Sequence, residues 1–324
     1  MLLSELLPRV TSQVRMLAAG LALDPATLVV RHVAGPGDPA TTSFSIADAH
    51  ARYYLQLAED PAGHAALRRW LDLGALLSAR YHAPRIRGWL EIVDTPFAGL
   101  LFEHPDGHVV DLSRVPDLGQ ALGRLVGRLH ADRELAARLP GPAPTCRDAY
   151  LAGHCARATA TLKAARAACP PFVDTATLAY LAAELDRMTA QVRASSAFAA
   201  PADLPIHGDL HPGHVRLTDK GTFHVLGWDT LRLGDPALDL AALPPRTAVV
   251  DPRADTMQAT RAIREPWLSE RVALLRRALA LAGVIDPLHA WLAAAAVPEG
   301  REPGLAQLQR AHETALAAYR QDHA

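Results

Sequence analysis

Lysine is nearly absent from this sequence. Among 324 residues only Lys163 and Lys220 are lysines, so the first 162 residues contain none and the other permanently basic residues are arginines. Basic and acidic residues number 33 and 34, which gives a formal net charge of −1. A balance this close to neutral provides no basic field for nucleic acid or for an anionic membrane, so we expect neither as a partner.

Cysteine is also scarce. The three cysteines, Cys146, Cys155 and Cys169, are an odd number and lack the paired spacing of a metal site, so they predict reduced thiols. The N-terminal segment has no basic stretch followed by an unbroken apolar run, and no uncharged apolar run reaches the length of a membrane span. These features predict a cytoplasmic protein.

The hydrophobic pattern changes character near residue 105. Before it, β-branched and aromatic residues predict strands, and helical spacing predicts two helices, at 2–21 and 64–81. The predicted strands are 27–33, 42–48, 51–59, 85–93 and 98–104. After it, helical spacing dominates, apart from short strands within 206–228. The chain is therefore predicted to be an α+β protein with a small β-sheet lobe over residues 1–104 and a large, mostly helical lobe over residues 105–324.

Two ordered motifs lie close together in the second half of the chain. HGDLHPGH, residues 207–214, presents Asp209 in a loop, and His214 follows five residues later at the start of a short strand. GWDTLRLGDPALDLA, residues 227–241, then supplies three carboxylates: Asp229, Asp235 and Asp239. Phosphoryl transfer to a hydroxyl needs a base that orients the acceptor and a metal that neutralises the polyphosphate, and these residue types suit both tasks.

Together the two motifs resemble the signature of the aminoglycoside phosphotransferase (APH) family, which has a bilobal, protein-kinase-like fold. The HGDLHPGH loop is similar to that of macrolide phosphotransferases. RYYLQLAED resembles the family's lysine-bearing strand, GLLFEHPDG its last small-lobe strand and hinge, and LGRLVGRLH its leucine–histidine helix. The resemblance implies a catalytic loop at 207–214 with Asp209 as the catalytic base, and a metal-site segment at 225–240.

The resemblance also implies a nucleotide, ATP or GTP, bound with magnesium. It places the base against the backbone at Glu103, His104 and Pro105. It places a metal ligand at His214, where the family usually has asparagine. A neutral imidazole nitrogen can ligate a divalent ion, although magnesium prefers oxygen ligands.

Two positions depart from the family pattern. Gly227 stands where the family has its main magnesium-binding aspartate, and Gln56 stands where it has the lysine that pairs with the phosphates. Any cation that reaches the phosphates from the first lobe must therefore be an arginine, and the candidates are Arg52, which has the strand parity of Gln56, and Arg31. Asp229 would point to the same side of an extended backbone as residue 227, where the missing side chain would leave room for an ion, so Asp229 is the candidate substitute ligand.

The turn GPGDPATTS, residues 35–43, is a poor phosphate cradle, because its prolines remove N–H donors. Gln56 and the missing lysine predict weak nucleotide binding with a reduced dependence on magnesium.

Two functions remain open from the sequence. Asp209 and His214 favour a phosphotransferase that acts on a hydroxyl of a small molecule or peptide, with atypical metal and phosphate binding. Gly227 and Gln56 favour a catalytically impaired pseudokinase that serves as a ligand- or partner-binding module, with a protein partner. The helical tail is neutral in charge balance and lacks the acidic lining that a polycationic aminoglycoside requires, which favours a neutral or apolar hydroxyl compound or a peptide Ser/Thr.

Overall fold

Two units make up the protein. The computed structural model describes residues 3–33, 41–105, 107–141, 144–244, 267–295 and 302–323. The first unit joins Met1–Leu118 with Asp209–Leu231, and the second joins Gly119–Gly208 with Arg232–Ala324. The segment that contains the candidate site residues therefore folds with the first unit. The lobe boundaries predicted from the sequence, 1–104 and 105–324, follow chain order and stay a prediction.

Five antiparallel strands form the main sheet of the first unit. They are β1 (Val29–Val33), β2 (Thr41–Ala47), β3 (Arg52–Ala58), β4 (Ile86–Glu91) and β5 (Ala98–Glu103), in the spatial order β1-β2-β3-β5-β4. The central strand β3 alternates, with Tyr53, Leu55 and Leu57 buried. Because strand side chains alternate between faces, Tyr54 and Gln56 share the opposite face. The strands predicted from β-branched and aromatic content are confirmed, with shifts at their ends.

Two helices accompany this sheet. Helix α1 (Leu3–Leu17) buries Leu6, Val10 and Val14, which have the spacing of one helical face, in the core formed with the sheet. Helix α2 (Pro61–Tyr81) begins where the Asp60 side chain accepts the N–H of Gly63, an N-cap that satisfies a backbone donor at the helix start.

A smaller antiparallel sheet in the same unit positions the motif residues. Its strands are β6 (His108–Val109), β8 (Val215–Leu217) and β9 (Phe223–Val225), in the order β6-β8-β9. Val215 pairs with Val225. Just beyond this pair, the N–H of Leu226 donates to the carbonyl of His214 at 2.8 Å. The pairing therefore brings His214 beside the turn that contains residue 227.

Helices dominate the second unit, together with the antiparallel pair β7 (Leu204–Ile206) and β10 (Arg232–Gly234). The helices are α3 (Pro116–Ala131, which begins in the first unit), α4 (Arg133–Ala136), α5 (Cys146–Tyr150), α6 (Ala156–Ala168), α7 (Thr175–Ala194), α8 (Pro236–Ala242), α9 (Leu268–Ala295) and α10 (Glu302–His323). The sequence predicted one helix over 117–135. The structure has two, because the Asp132 side chain accepts the N–H of Leu135 and starts a new helix.

Helix α9 is apolar around most of its circumference. Of the helices within the described residues, α9 alone is long and apolar enough to cross a membrane, judged by length and composition only. A core helix passes the same test, so a single such helix is weak evidence. Helix α9 packs against α6, α8 and α10 of its own unit and buries Leu281, Val284 and Leu288. These apolar residues thus have packing partners within the unit.

Candidate active site

A buried carboxylate fixes the backbone that leads into the HGDLHPGH loop. Oδ2 of Asp239, on α8, accepts the N–H of His207 at 2.8 Å, and Oδ1 accepts the N–H of Gly208 at 2.9 Å. Asp239 has no exposed surface. Because a buried carboxylate is costly unless its oxygens are paired, these two bonds hold the chain firmly at the residue that precedes Asp209.

His130, near the end of α3, completes this anchor. Its Nε2 lies 3.0 Å from Oδ2 of Asp239, and the imidazole is also buried. Burial raises the pKa of the Asp239 carboxyl, but the hydrogen bond and charge of His130, the charge of His207 and the N–H of Gly208 outweigh it, so the pKa lies below its ordinary value. Asp239 is therefore ionised at neutral pH.

The loop itself brings two imidazoles to Asp209. Nδ1 of His214 lies 2.7 Å from the carbonyl oxygen of Asp209, and the rings of His211 and His214 are 3.9 Å apart between centroids. The Asp209 carboxylate lies 3.8 Å from Nδ1 of His214 and 3.9 Å from Nε2 of His211. The side chain of Asp209 keeps 44% of its surface exposed, whereas His214 is buried. The loop thus presents the carboxylate and fixes the histidine.

Residue 227 is glycine for a steric reason. Gly227 has a φ of +78°, in the left-handed region that side chains disfavour. A Cβ atom at this position would lie 2.6 Å from Cε1 of His214 and 2.7 Å from its Nδ1. The space that the sequence interpretation left open for an ion is occupied by the imidazole ring of His214. The glycine and the histidine therefore form one steric pair.

Asp229 reaches strand β3. It lies in a short 3₁₀ turn, Trp228–Thr230, and its Oδ2 accepts a hydrogen bond from Nε2 of Gln56 at 3.2 Å. The same amide nitrogen lies 3.3 Å from Oγ1 of Thr41. The residue predicted to replace the metal-binding aspartate and the residue that replaces the lysine are thus direct partners.

One cavity of about 90 Å³ brings the candidate residues together within the first unit. Its lining includes Gln56, Asp209, His214 and Asp229, together with Arg216 on β8. Among the described residues that line this cavity, Arg216 is the one arginine, and none is a lysine. The predicted cations lie elsewhere: Arg52 is exposed at the start of β3 and Arg31 is part of β1, and neither is among the described lining residues.

The predicted base-binding residues surround a different cavity, of about 320 Å³. The N–H of Glu103 donates to the carbonyl of Arg85 at 2.9 Å, and that of His104 donates to the carbonyl of Arg52 at 3.0 Å. Pro105 has no N–H. At all three positions the backbone donor is thus engaged or missing, so a base would find only acceptors in this stretch of backbone. The turn at 35–43, judged from the sequence to be a poor phosphate cradle, lies mostly outside the described residues.

The residues present fit a divalent metal ion. His214 donates from Nδ1 to the backbone carbonyl of Asp209, the kind of bond that fixes the tautomer and orientation of metal-binding histidines. Asp209, His211 and His214 offer ligand atoms within 4.8 Å of one another. Nδ1 of His211, however, accepts the N–H of Gly213 at 3.1 Å, so neutral His211 carries its proton on Nε2. Within this group, Asp209 and His214 are therefore the better candidate ligands, and Asp229 lines the same cavity.

Comparison with known proteins identifies the family of this chain. The model of the phosphotransferase enzyme family, APH, matches residues 36–275, well over half of the 324 residues. The chain belongs to this family. The resemblance drawn from the two motifs is therefore confirmed at family level, while the likeness of the loop to macrolide phosphotransferases stays a prediction. No curated protein shows significant sequence similarity to the chain.

Several solved structures share the fold of this chain at low sequence identity. The complex of APH(2")-IIia with GDP and kanamycin has a TM-score of 0.60 at 14% identity and covers 97% of this chain and 99% of its own. A thermostable mutant of APH(4)-Ia without ligand has a TM-score of 0.56 at 16% identity, with coverage of 94% and 98%. Ethanolamine kinase from Plasmodium vivax has a TM-score of 0.58 at 13% identity, with coverage of 95% and 88%. The predicted α+β, protein-kinase-like fold is confirmed.

Sequence reasoning missed Arg216 and the anchoring role of Asp239. A signal for Arg216 existed, because in an extended segment residues 214 and 216 lie on the same face. The pairing of Asp239 with His130 joins residues 109 positions apart, and only the folded chain reveals it.

The steric pair predicts a context-dependent cost at residue 227. Gly227→Ala should lower the free energy of unfolding by about 2–4 kcal/mol, from about 1 kcal/mol of backbone strain and about 1–3 kcal/mol of overpacking. His214→Asn shortens the clashing side chain. In its presence, the stability lost through Gly227→Ala should therefore fall towards the value for backbone strain alone. Urea denaturation of the four members of this double-mutant cycle measures the coupling.

Gly221→Ala is the matched control for this cycle. Gly221 has a φ of +76°, and no atom lies within 4 Å of a Cβ placed there. Gly221→Ala should therefore lower the free energy of unfolding by about 1 kcal/mol with or without His214→Asn. Equal losses at residues 221 and 227 would contradict the steric pair.

The anchor predicts a pH-dependent loss of stability for Asp239→Asn. The amide would keep one acceptor oxygen but turn its NH2 donor towards the N–H of either His207 or Gly208, so the free energy of unfolding should fall by about 3 kcal/mol. Since folding lowers the pKa of Asp239, its contribution is present above the ordinary carboxyl value of 3.8 and is lost as pH falls through the folded-state pKa. The difference in free energy of unfolding between wild type and Asp239→Asn should be constant near neutrality and should shrink below pH 3.8.

Asp219→Asn serves as the control, because Asp219 is exposed in a turn. Its free energy of unfolding should match that of wild type at every pH. If Asp239→Asn behaved the same way, the anchoring role of Asp239 would be refuted.

Proposed function

We propose that this chain is an atypical phosphotransferase that moves a nucleotide phosphate to a hydroxyl of a small molecule or peptide. The observation that carries the proposal is the convergence of Asp209, His214, Asp229 and Gln56 on one cavity. Membership of the phosphotransferase enzyme family supports the reaction class. The atypical element is the replacement of the family's aspartate and lysine by Gly227 and Gln56.

Asp209 acts as the base in this proposal. Its partly exposed carboxylate accepts a hydrogen bond from the acceptor hydroxyl, which orients the oxygen towards the phosphorus. As the new oxygen–phosphorus bond forms, the bond from phosphorus to the nucleoside diphosphate breaks, and the hydroxyl proton passes to Asp209. The anchored backbone at His207 and Gly208 keeps this carboxylate in place.

His214 and Asp229 would hold the divalent ion. When bound, such an ion neutralises charge on the phosphates. The Nδ1 hydrogen bond fixes the His214 ring, and Gln56 fixes the Asp229 carboxylate. An imidazole ligand suits manganese or zinc better than magnesium, so we expect activity with magnesium to be low.

The donor in this proposal is ATP or GTP, bound weakly. Gln56 contributes a hydrogen bond but no charge, so Arg216 supplies the positive charge in the cavity. The structure of APH(2")-IIia with GDP and kanamycin supports a nucleotide and a small-molecule acceptor for proteins of this fold. The neutral helical tail favours a neutral or apolar hydroxyl compound, or a peptide Ser/Thr, as the acceptor here.

A pseudokinase that binds a ligand or a protein partner is the second candidate. The small size of the cavity favours it, since about 90 Å³ is far below the roughly 300 Å³ of typical ligand pockets. So does the Gln56–Asp229 hydrogen bond, which satisfies both side chains without a nucleotide.

Substitution of the proposed base and metal ligand tests the first candidate. Asp209→Asn should lower phosphate transfer by about 100-fold or more, because the amide cannot accept the proton. Asp229→Asn should lower it by a similar factor and raise the manganese concentration needed for half-maximal rate. Release of labelled phosphate from γ-labelled ATP and GTP, with magnesium or manganese, measures both effects.

Asp219→Asn is the control and should leave the rate unchanged. If Asp229→Asn also left it unchanged, Asp229 would not be a metal ligand. A wild-type protein that transfers no phosphate with either metal would favour the second candidate.

Restoring the family residues tests whether the departures limit the rate. Since Gly227→Asp clashes with His214, the restoration requires three changes: Gln56→Lys, His214→Asn and Gly227→Asp. Assayed at millimolar nucleotide, the triple variant should hydrolyse or transfer phosphate faster than wild type with magnesium. Asp209→Ala in that background should abolish the gain. A folded triple variant that stays inert would indicate that the fold serves binding instead.

A further inference from the structure

A buried arginine lies in the first turn of α9. Arg271 is only 2% exposed and is among the largest buried side chains of the described residues. A cation near a helix N-terminus gains nothing from the helix dipole, whose positive end lies there. A buried charge is also costly unless it is paired. The position of this arginine must therefore be explained by the groups that it contacts.

The first of these groups is the carboxylate at the start of α8. Nε of Arg271 lies 3.2 Å from Oδ1 and 3.1 Å from Oδ2 of Asp235, which is itself buried. Oδ1 of Asp235 also accepts the N–H of Ala237 at 2.9 Å and so caps α8. Arg271 thus holds the first turn of the helix that carries Asp239.

The second group belongs to the chain that leads into β7. Nη1 of Arg271 donates to the carbonyl of Ala197 at 3.1 Å, in the 3₁₀ turn Ser196–Ala199 between α7 and β7. The neighbouring residue of α9, Glu270, accepts the hydroxyl of Ser195 at 2.7 Å. The start of α9 therefore holds both the segment that enters the HGDLHPGH loop and the helix that anchors this loop.

We propose that Arg271 is a positioning residue that keeps the Asp239 carboxylate against the backbone N–H groups that it accepts. Asp239 follows Asp235 by about one helical turn, so a shift of the first turn of α8 moves its carboxylate. The bonds from His207 and Gly208 are 2.8 and 2.9 Å long and leave little room for such a shift. All of these residues belong to the second unit.

A consequence for the reaction rests on the proposed function. Asp209, the proposed base, follows Gly208 directly in the chain. Arg271 is not among the described residues that line the cavity with Asp209. Loss of Arg271 should therefore slow phosphate transfer through poorer placement of the base and leave nucleotide binding unchanged. The effect on the backbone bonds of His207 and Gly208 does not depend on any catalysis.

Amide hydrogen exchange with a matched pair of α9 variants tests the proposal. Arg271→Met removes the guanidinium but keeps an unbranched, apolar chain of similar reach. Arg277→Met makes the same change on the same helix, where Nη2 of Arg277 donates to Oε2 of the buried Glu184 at 2.6 Å and Nε lies 3.3 Å from the hydroxyl of Tyr319. Exchange is read by mass spectrometry on overlapping peptides of the full-length protein, and thermal unfolding confirms that each variant is folded.

The two variants should loosen different places. In Arg271→Met, the amides of His207 and Gly208 should exchange about tenfold faster or more than in wild type. In Arg277→Met they should stay within about threefold of wild type, while exchange around Tyr319 increases. Unchanged exchange at residues 207 and 208 in Arg271→Met would overturn the proposal. Equal acceleration there in both variants would also overturn it, because it would reflect a general loss of stability.

Two milder variants decide the matter if Arg271→Met does not fold. Arg271→Lys keeps a charge opposite Asp235, but its single nitrogen cannot replace the two guanidinium nitrogens that reach Asp235 and Ala197. Asp235→Asn keeps an acceptor for the N–H of Ala237 and weakens the ion pair. Both should accelerate exchange at residues 207 and 208, and wild-type exchange in both would refute the positioning role.

The phosphate-release assay tests the consequence for the reaction separately. Arg271→Met should lower kcat about tenfold with the KM for nucleotide unchanged, whereas Arg277→Met should keep kcat within about threefold of wild type. A raised KM with unchanged kcat would contradict a positioning role for Arg271. A wild-type protein without activity would count against the proposed function, and hydrogen exchange would still decide the role of Arg271.

Discussion

The buried carboxylate of Asp239 is the constraint on which the site depends. It accepts two consecutive backbone N–H groups, from His207 and Gly208, and pairs with the buried imidazole of His130. Leaving any of these groups unpaired in a buried setting costs more than the hydrogen bond itself is worth. The backbone of the second unit is therefore fixed up to Gly208, the residue before Asp209.

Beyond that anchor, the departures from the family pattern form a connected set. The ring of His214 occupies the space that a side chain at residue 227 would need, so histidine and glycine accommodate each other. Asp229 and Gln56 likewise satisfy each other through a hydrogen bond. Reversion of one residue alone therefore leaves its partner strained or unpaired. Three replaced residues that fit their neighbours in this way are easier to reconcile with an altered site than with random decay of an active one.

The charges in this site favour a metal ion and a phosphate, whereas its small volume disfavours a larger ligand. Asp209 and Asp229 favour a cation, and Arg216 favours an anion, within one cavity of about 90 Å³. Opposite charges attract each other more strongly in a partly buried space than in bulk water, so a metal–phosphate pair suits these polar residues. The same cavity is also lined by the aromatic side chains of Tyr54, Trp70 and Phe102.

The sequence by itself determined the family, the α+β fold, most strands and helices, and the two motifs, because these depend on local hydrophobic periods and on residues close together in the chain. Tertiary structure decided which residues are neighbours. It places the ring of His214 against Gly227 and Gln56 against Asp229, and it places Arg216 rather than Arg52 in the cavity. These contacts join residues up to 173 positions apart, and they depend on strand pairing and side-chain packing, which no local pattern encodes.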